Sequence, residues 1–266
     1  MSDIAFQKRM NRGHECLDAG SPYAALSNFM MAIDEKADAK EHTRAFQMTG
    51  VVFRKIGNLA KAVEYGERAL KEAEDSPVPD TTSGAARDLA ATLHILGIVR
   101  EEGRDATLLS ALHLYTLSLI YDETGRQKPF SDYEPPDHAP AGSQHYVTFG
   151  MRASLLYDIA HFRIRLNSDG SRGSTSLRRK EVRAAQDEAL TQLEFADHFL
   201  QKFDNRVWEL NNLLRLIQVS PVGEKASLIH RAENLIMLYP APNKELWAAI
   251  GGRRLYRFGL KFRTRF

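Results

Sequence analysis

The sequence predicts an all-α chain of about five antiparallel helix pairs, and three observations carry that reading. No stretch alternates apolar and polar residues as a half-buried strand does. Residues with good helix propensity (Ala, Leu, Glu, Arg, Lys) dominate most segments of the 266-residue chain. Near the N-terminus two segments repeat one spacing: Gly13 is followed by Ala25 and Ala32, and Gly50 by Ala62 and Ala69. A helix pair cannot bury its apolar faces alone, so several pairs stacked in series form one core.

The first pair is expected over residues 3–37. Gly20-Ser21-Pro22 is its turn, with Ser21 at the N-cap position and Pro22 at the first helical position, where a missing N–H costs nothing. Cys16 falls three residues after Gly13 and reads as a small buried apolar residue. The second pair, 43–74, carries the fullest pattern. Phe46, Gly50 and Phe53 share one helical stripe, Gly57-Asn58 breaks the helix, and Ala62 and Ala69 mark a stripe of small residues on the next helix.

This order of aromatic, small, aromatic and then alanines resembles the tetratricopeptide repeat (TPR), and Gly13 to Gly50 is close to its period of about 34 residues. The departures are Gly66, where the family usually places an aromatic, and Arg9, where pair one lacks one. The resemblance implies a right-handed α-solenoid, a TPR-like superhelix. It covers residues 6–74 well, extends loosely to about 121 and is poor beyond.

The turn formers of Asp75 to Gly84 predict a loop, with Thr82 or Ser83 starting the third pair, 83–121; it contains Leu93, Leu96 and Gly97, a break at Gly103, then Ala111, Tyr115 and Ser118. Four prolines between Gly125 and Ser143 predict a long loop, which Phe130 and Tyr133 could fold back onto the surface. The fourth pair, 144–203, is a buried helix to Leu166, a mobile polar linker over Asn167 to Ser176, and a second helix from Leu177. Ser220-Pro221 divides the fifth pair, 207–239. These pairs make a repeat domain over 1–242, and 243–266 is expected as a C-terminal capping helix with a basic aromatic tail.

Composition narrows the function. A single cysteine excludes an intramolecular disulfide framework and fits a reducing compartment. Residues 1–10 lack the apolar run of a secretory signal and no stretch of eighteen apolar residues is present, so the expected location is cytoplasmic. No phosphate loop, GxGxxG, HExxH, GxSxG or CxxC occurs, and the nine histidines form no i,i+4 pair on one helix. The expectation is therefore a protein that is not an enzyme, with no catalytic residues, no cofactor and no metal.

In TPR arrays the first helix of each pair lines a concave groove for extended peptides or partner helices. Carried onto this chain, the resemblance puts Met10, His14 and Leu17, then Arg44, Gln47, Val51 and Arg54, then His94, Ile98 and Glu101 in that groove. Arginine and glutamine there can reach a partner's carboxylates and carbonyls. The family's carboxylate clamp is absent, since Met10, His14 and Met48 stand at its places. Asn211, Asn212 and Arg215 in pair five are further candidates, because asparagine both donates to and accepts from an extended backbone; either asparagine could face inward.

The last sixteen residues hold Arg253, Arg254, Arg257, Lys261, Arg263 and Arg265 and no acid, so a formal charge of +2 conceals a net negative body. Basic residues interleaved with aromatics could meet nucleic acid or an anionic membrane, but a helix sealing the solenoid is the favoured reading. The expected function is thus a protein–protein interaction scaffold or adaptor that holds a peptide or partner protein in its groove. The alternative is a regulator that couples such sensing to nucleic-acid binding through the C-terminus. Homodimerisation through a terminal pair also fits a degenerate array.

Overall fold

The computed structural model describes residues 4–75, 79–124, 143–202 and 206–238. Among them are ten helices and no strand: α1 (Ile4–Asp18), α2 (Pro22–Ile33), α3 (Ala39–Lys55), α4 (Leu59–Glu74), α5 (Pro79–Val99), α6 (Arg104–Thr124), α7 (Ser143–His161), α8 (Arg179–Leu200), α9 (Arg206–Val219) and α10 (Val222–Met237). The fold is all-α and the helices follow the expected pairing. The chain divides into two compact units, one comprising 1–138 and 164–176, the other 139–163 and 177–266. The expected loop with Phe130 and Tyr133, and the cap and tail over 243–266, lie outside the described residues.

In the first unit each helix packs on the next, from α1 through α6, and α3 also meets α5. Local chemistry sets the helix ends. Asp38 and Glu41 form a reciprocal capping box at the start of α3, Asp38 accepting from the Glu41 N–H at 2.8 Å. Gly57 ends the same helix with φ +86°, a left-handed conformation that glycine adopts at least cost, and Asn58 caps α4 by accepting from the Lys61 N–H at 3.1 Å. Ser21 occupies the expected N-cap position of α2, yet its side chain makes no capping hydrogen bond.

Two expectations for this unit are corrected. The third pair starts at Pro79, not at Thr82 or Ser83, because a proline fits the first turn of a helix. Thr82 and Ser83 are buried inside α5, where Ser83 donates to Asp122 on α6 at 2.6 Å. The polar stretch expected as a mobile linker is a hydrogen-bonded turn. Leu166 and Arg172 form an antiparallel bridge, the Gly173 N–H donates to the Arg165 carbonyl at 2.7 Å, and Asp169 accepts from both the N–H and the hydroxyl of Ser171. Arg172 then pairs with Asp105 of α6 at 2.9 Å. Its polar residues bond one another, which composition alone does not distinguish from solvation.

The glycines explain the close pairing. A Cβ added at Gly13 would stand 2.7 Å from Cδ1 and Cζ of Phe29, a ring that is fully buried among Phe6, Met10, Ala25 and Ala45. At Gly50 it would lie 3.3 Å from the Ala62 carbonyl oxygen and the Gly66 nitrogen, so here backbone meets backbone. At Gly97 it would lie 2.7 Å from Cγ of Leu108. Gly66 leaves the aromatic position of pair two empty, and Leu89 of α5 fills it; a Cβ at Gly66 would be 2.9 Å from Leu89 Cδ1. Tyr65 supplies the missing ring contact, 5.3 Å from Phe53 and 6.3 Å from Phe46.

The second unit packs differently. Tyr146 stacks on Phe199 at 4.7 Å, Phe149 meets Phe195 edge-on at 5.6 Å, and Leu210, Leu213, Leu214, Ile217, Ala232 and Ile236 make a core between α9 and α10. Burial pushes the His145 imidazole down to about 4, so it is neutral in the folded protein at physiological pH. An unfolded imidazole protonates near 6.5. The unfolded state therefore binds the extra proton between these values, and stability is lost as pH falls through that window. Replacing His145→Asn is expected to flatten the dependence of unfolding free energy on pH between about 6.5 and about 4, measured by urea titration followed through near-ultraviolet circular dichroism.

The glycine geometry makes a second prediction. At Gly13 an alanine meets a ring with nowhere to go, whereas at Gly66 it meets the flexible end of Leu89. Gly13→Ala is expected to destabilise by roughly 1–2 kcal/mol, overpacking outweighing a helix-propensity gain of about 1 kcal/mol. Gly66→Ala should be near neutral in the same urea titration.

Candidate interaction face on the first helices of the pairs

The helices that come first in their pairs within the first unit are α1, α3 and α5. Their expected groove positions divide into three groups. Met10 is buried at 2% exposure and belongs to the core with Phe6 and Phe29, and Leu17 is half-buried against the same cluster. Met10 is thereby removed from any binding surface, packed beside the buried Phe29 ring, while Leu17 keeps only part of its side chain exposed.

The second group ties one helix to the next. Gln47 donates through Nε2 to Asp88 Oδ2. Arg54 donates through Nη1 to the Asp88 carbonyl at 2.6 Å and to Thr92 Oγ1 at 3.3 Å, while its Nη2 lies 3.4 Å from Asp88 Oδ1. Gly84 leaves room for this, since a Cβ there would lie 3.2 Å from Gln47 Nε2. Asp88 is largely buried, which by itself would raise its carboxyl. Arg87, Arg54 and the hydrogen bonds from Gln47 and Arg54 outweigh that penalty and hold the carboxyl below its ordinary value. On the preceding helix Gln7 donates to Glu41 of α3 at 2.9 Å in the same manner.

The third group stays at the surface. Arg44 is exposed, and it helps lower the basicity of His14, whose main perturbation is burial. The His14 ring meets Phe29 edge-on at 5.3 Å. Val51 is half-buried; His94 is half-buried and edge-on to Tyr115 at 6.4 Å. Ile98 and Glu101 are exposed. Ile98 has apolar company, because Ile95 at 41%, Ile98 at 42% and Val99 at 64% exposure form a stripe at i, i+3 and i+4 on the last turns of α5.

In the second unit Asn212 is 1% exposed. Its Nδ2 reaches the Leu193 carbonyl at 3.4 Å, and its Oδ1 lies in the space where Gly150 lacks a Cβ. It is an internal link of α9 to α7 and α8 and not a surface group. Asn211 and Arg215 are half-buried on the same helix. Arg253, Arg254, Arg257, Lys261, Arg263 and Arg265 lie outside the described residues.

Asp88, Thr92, Asp197 and Arg231 belong to no motif that the sequence displays. Asp197, 5% exposed, accepts two hydrogen bonds from the Arg231 guanidinium, at 2.8 and 2.6 Å. A signal for them nevertheless exists. Gln7 and Glu41, Arg54 and Asp88, and Asp197 and Arg231 are each 34 residues apart. Complementary polar residues separated by one repeat period mark neighbouring pairs.

The first unit is thus built of antiparallel helix pairs stacked in series, with polar links recurring at a 34-residue separation. No protein-family model and no curated protein matches the chain. Among solved structures it is similar to the crystal structure of a Podosopora anserina putative kinesin light chain with nearly identical TPR-like repeats, at 10% identity and TM-score 0.48 over 95% of this chain and 100% of that one. A single-substitution variant of that same Podosopora anserina protein matches at 9% identity and TM-score 0.49 with the same coverage. Among the described residues no group of three or more metal-ligating side chains occurs, and no helix is long and apolar enough to cross a membrane.

The depressed Asp88 carboxyl stabilises the fold above its unfolded value of about 3.8, and that contribution disappears as pH falls through the lower folded value. Asp88→Asn is expected to cost about 1 kcal/mol at neutral pH. It should also make the acid limb of the stability curve shallower below about pH 3.8, as read from guanidinium midpoints across pH.

Proposed function

We propose that this chain is a non-catalytic interaction scaffold that binds an extended peptide segment of a partner protein on the face formed by α1, α3 and α5. One observation carries the reading. Once Met10 is assigned to the core, Leu17 to its edge, and Gln47 and Arg54 to helix-to-helix links, the expected positions that remain exposed include a cation, Arg44, and an apolar stripe centred on Ile98. An unpaired arginine and a separate run of apolar side chains suit a segment that offers a carboxylate and one or two aliphatic or aromatic anchors. Arg44 has no ion-pair partner among the described residues, so binding would not first have to break one.

Peptide display selection against the intact chain tests this directly. The expected outcome is enrichment of peptides combining acidic and apolar residues, with affinity falling about tenfold for Ile98→Glu and roughly threefold for Arg44→Glu. Both residues are exposed, so neither change should alter the urea midpoint. Selected peptides whose affinity ignored both substitutions would place the partner elsewhere. Arg54→Glu is unsuitable as a probe, because it would break the link to Asp88 and unsettle α3 against α5.

A further inference from the structure

The second unit holds a cavity of about 220 Å³ between α8 and the turn from α9 to α10. Its walls include Glu194, Asp197 and His198 from α8, Ser220 from the turn, and Glu224 and Ser227 from α10, over an apolar floor of Leu216 and Leu228. None of its residues takes part in the face proposed on the first unit.

The charges in this cavity are unequally compensated. Asp197 is engaged by both Arg231 nitrogens and by Gln201 Nε2 at 3.0 Å, so it shapes the wall without adding free negative charge. Glu224 lies in the first turn of α10, where a carboxylate offsets the positive end of the helix. Glu194 has no such counterweight and no ion pair among the described residues. The cavity is therefore net negative.

Ser220 supplies an independent observation. It is 4% exposed and lines the cavity, and its hydroxyl makes no hydrogen bond among the described residues. A hydroxyl on a nearly buried side chain that has no protein partner and stays open toward the cavity is free to bond a group that enters there. Its hydroxyl is also not sealed off, so the cavity is where its partner can enter. Ser227 already donates its hydroxyl hydrogen to the Glu224 carbonyl at 2.9 Å, which leaves its oxygen as an acceptor. Among the lining groups, the hydroxyl oxygens of Ser220 and Ser227 and the carboxylates of Glu194 and Glu224 can accept hydrogen bonds, beside His198 and Gln201 and above a leucine floor.

We propose that this cavity binds an alkylguanidinium or alkylammonium group, its N–H donors meeting Ser220, Ser227 and Glu194 while its methylene stem lies on Leu216 and Leu228. Such a group belongs to an arginine or lysine side chain of a partner, or to a free amine. Metal binding is not the alternative, since no suitable ligand cluster occurs among the described residues.

The test uses the full chain and ¹H–¹⁵N correlation spectra during titration with agmatine, with Nα-acetyl-arginine methylamide, and with glutarate as the anionic control. The amides of Ser220, Glu224 and Ser227 are expected to shift saturably with the two guanidinium probes and not with glutarate. Equal affinity for both would assign the cation to a partner side chain. Tighter binding of agmatine, whose second cation could reach Glu224, would assign it to a free amine. Glu194→Gln and Ser220→Ala should each weaken binding roughly threefold to tenfold. Ser220→Ala should leave the melting temperature unchanged, because the hydroxyl makes no hydrogen bond to the described residues. Absence of saturable shifts, shifts equal for glutarate, or affinity unchanged in both variants would overturn the assignment.

Discussion

The first unit depends on how closely the two helices of a pair approach. Where Gly13 faces Phe29 and Gly50 faces the backbone of α4, no Cβ stands between the elements, and the separation is set by a ring edge or by main chain. Close-packed interiors tolerate little change in such spacing. With the pair held this near, the first helices of successive pairs also come within side-chain reach of each other. That is why Gln47 and Arg54 can touch Asp88 and Thr92 at all.

These polar links then divide the side chains of the first helices into those tied to the next pair and those left at the surface. A residue that reaches the next pair along the chain is used for cohesion, and one that does not, such as Arg44, stays at the surface. Arg44 and Arg54 lie on the same helix ten residues apart, yet only Arg54 has a carboxylate from α5 within reach. An arginine in a repeat groove is therefore not by itself a ligand-binding arginine. Its availability is decided by what the following pair carries one period later.

Much of this architecture is legible in the sequence where the determinant is local. The Gly57-Asn58 break, the glycine-to-alanine spacing and the Ser220-Pro221 turn each depend on residues a few positions apart, and all five pairs lie near their expected places. What is not legible depends on distant partners. Asp88 looks like a solvated helix charge until Arg54 is brought beside it, and Asn212 looks like a surface amide until Gly150 makes room for its oxygen. The Asn167 to Ser176 turn escapes a compositional reading for a related reason. Serine, aspartate and glycine satisfy one another in a tight turn as readily as they are satisfied by water, and composition does not separate the two. Met10 is misplaced by the family pattern because a groove position carried over in that way ignores the local pull of Phe29.

The second unit indicates how the pattern can fade while its organising rule persists. Between its α7 and α8, aromatic stacking of Tyr146 on Phe199 is added to a close approach at Gly150, where a Cβ would lie 3.3 Å from Ala196 Cβ, so a small residue still limits the spacing although the sequence spacing of pair one is not repeated. The link between neighbouring pairs nevertheless recurs at the same 34-residue separation, as Asp197 and Arg231. It is also more buried on its acidic side than the Arg54–Asp88 pair, with side-chain exposures of 8% for Asp197 and 19% for Asp88. A bidentate guanidinium is the donor geometry that best meets both oxygens of so enclosed a carboxylate. The two constraints act on different interfaces: glycine limits the distance inside a pair, as at Gly50 and Gly150, and the charge pair sets the alignment between pairs.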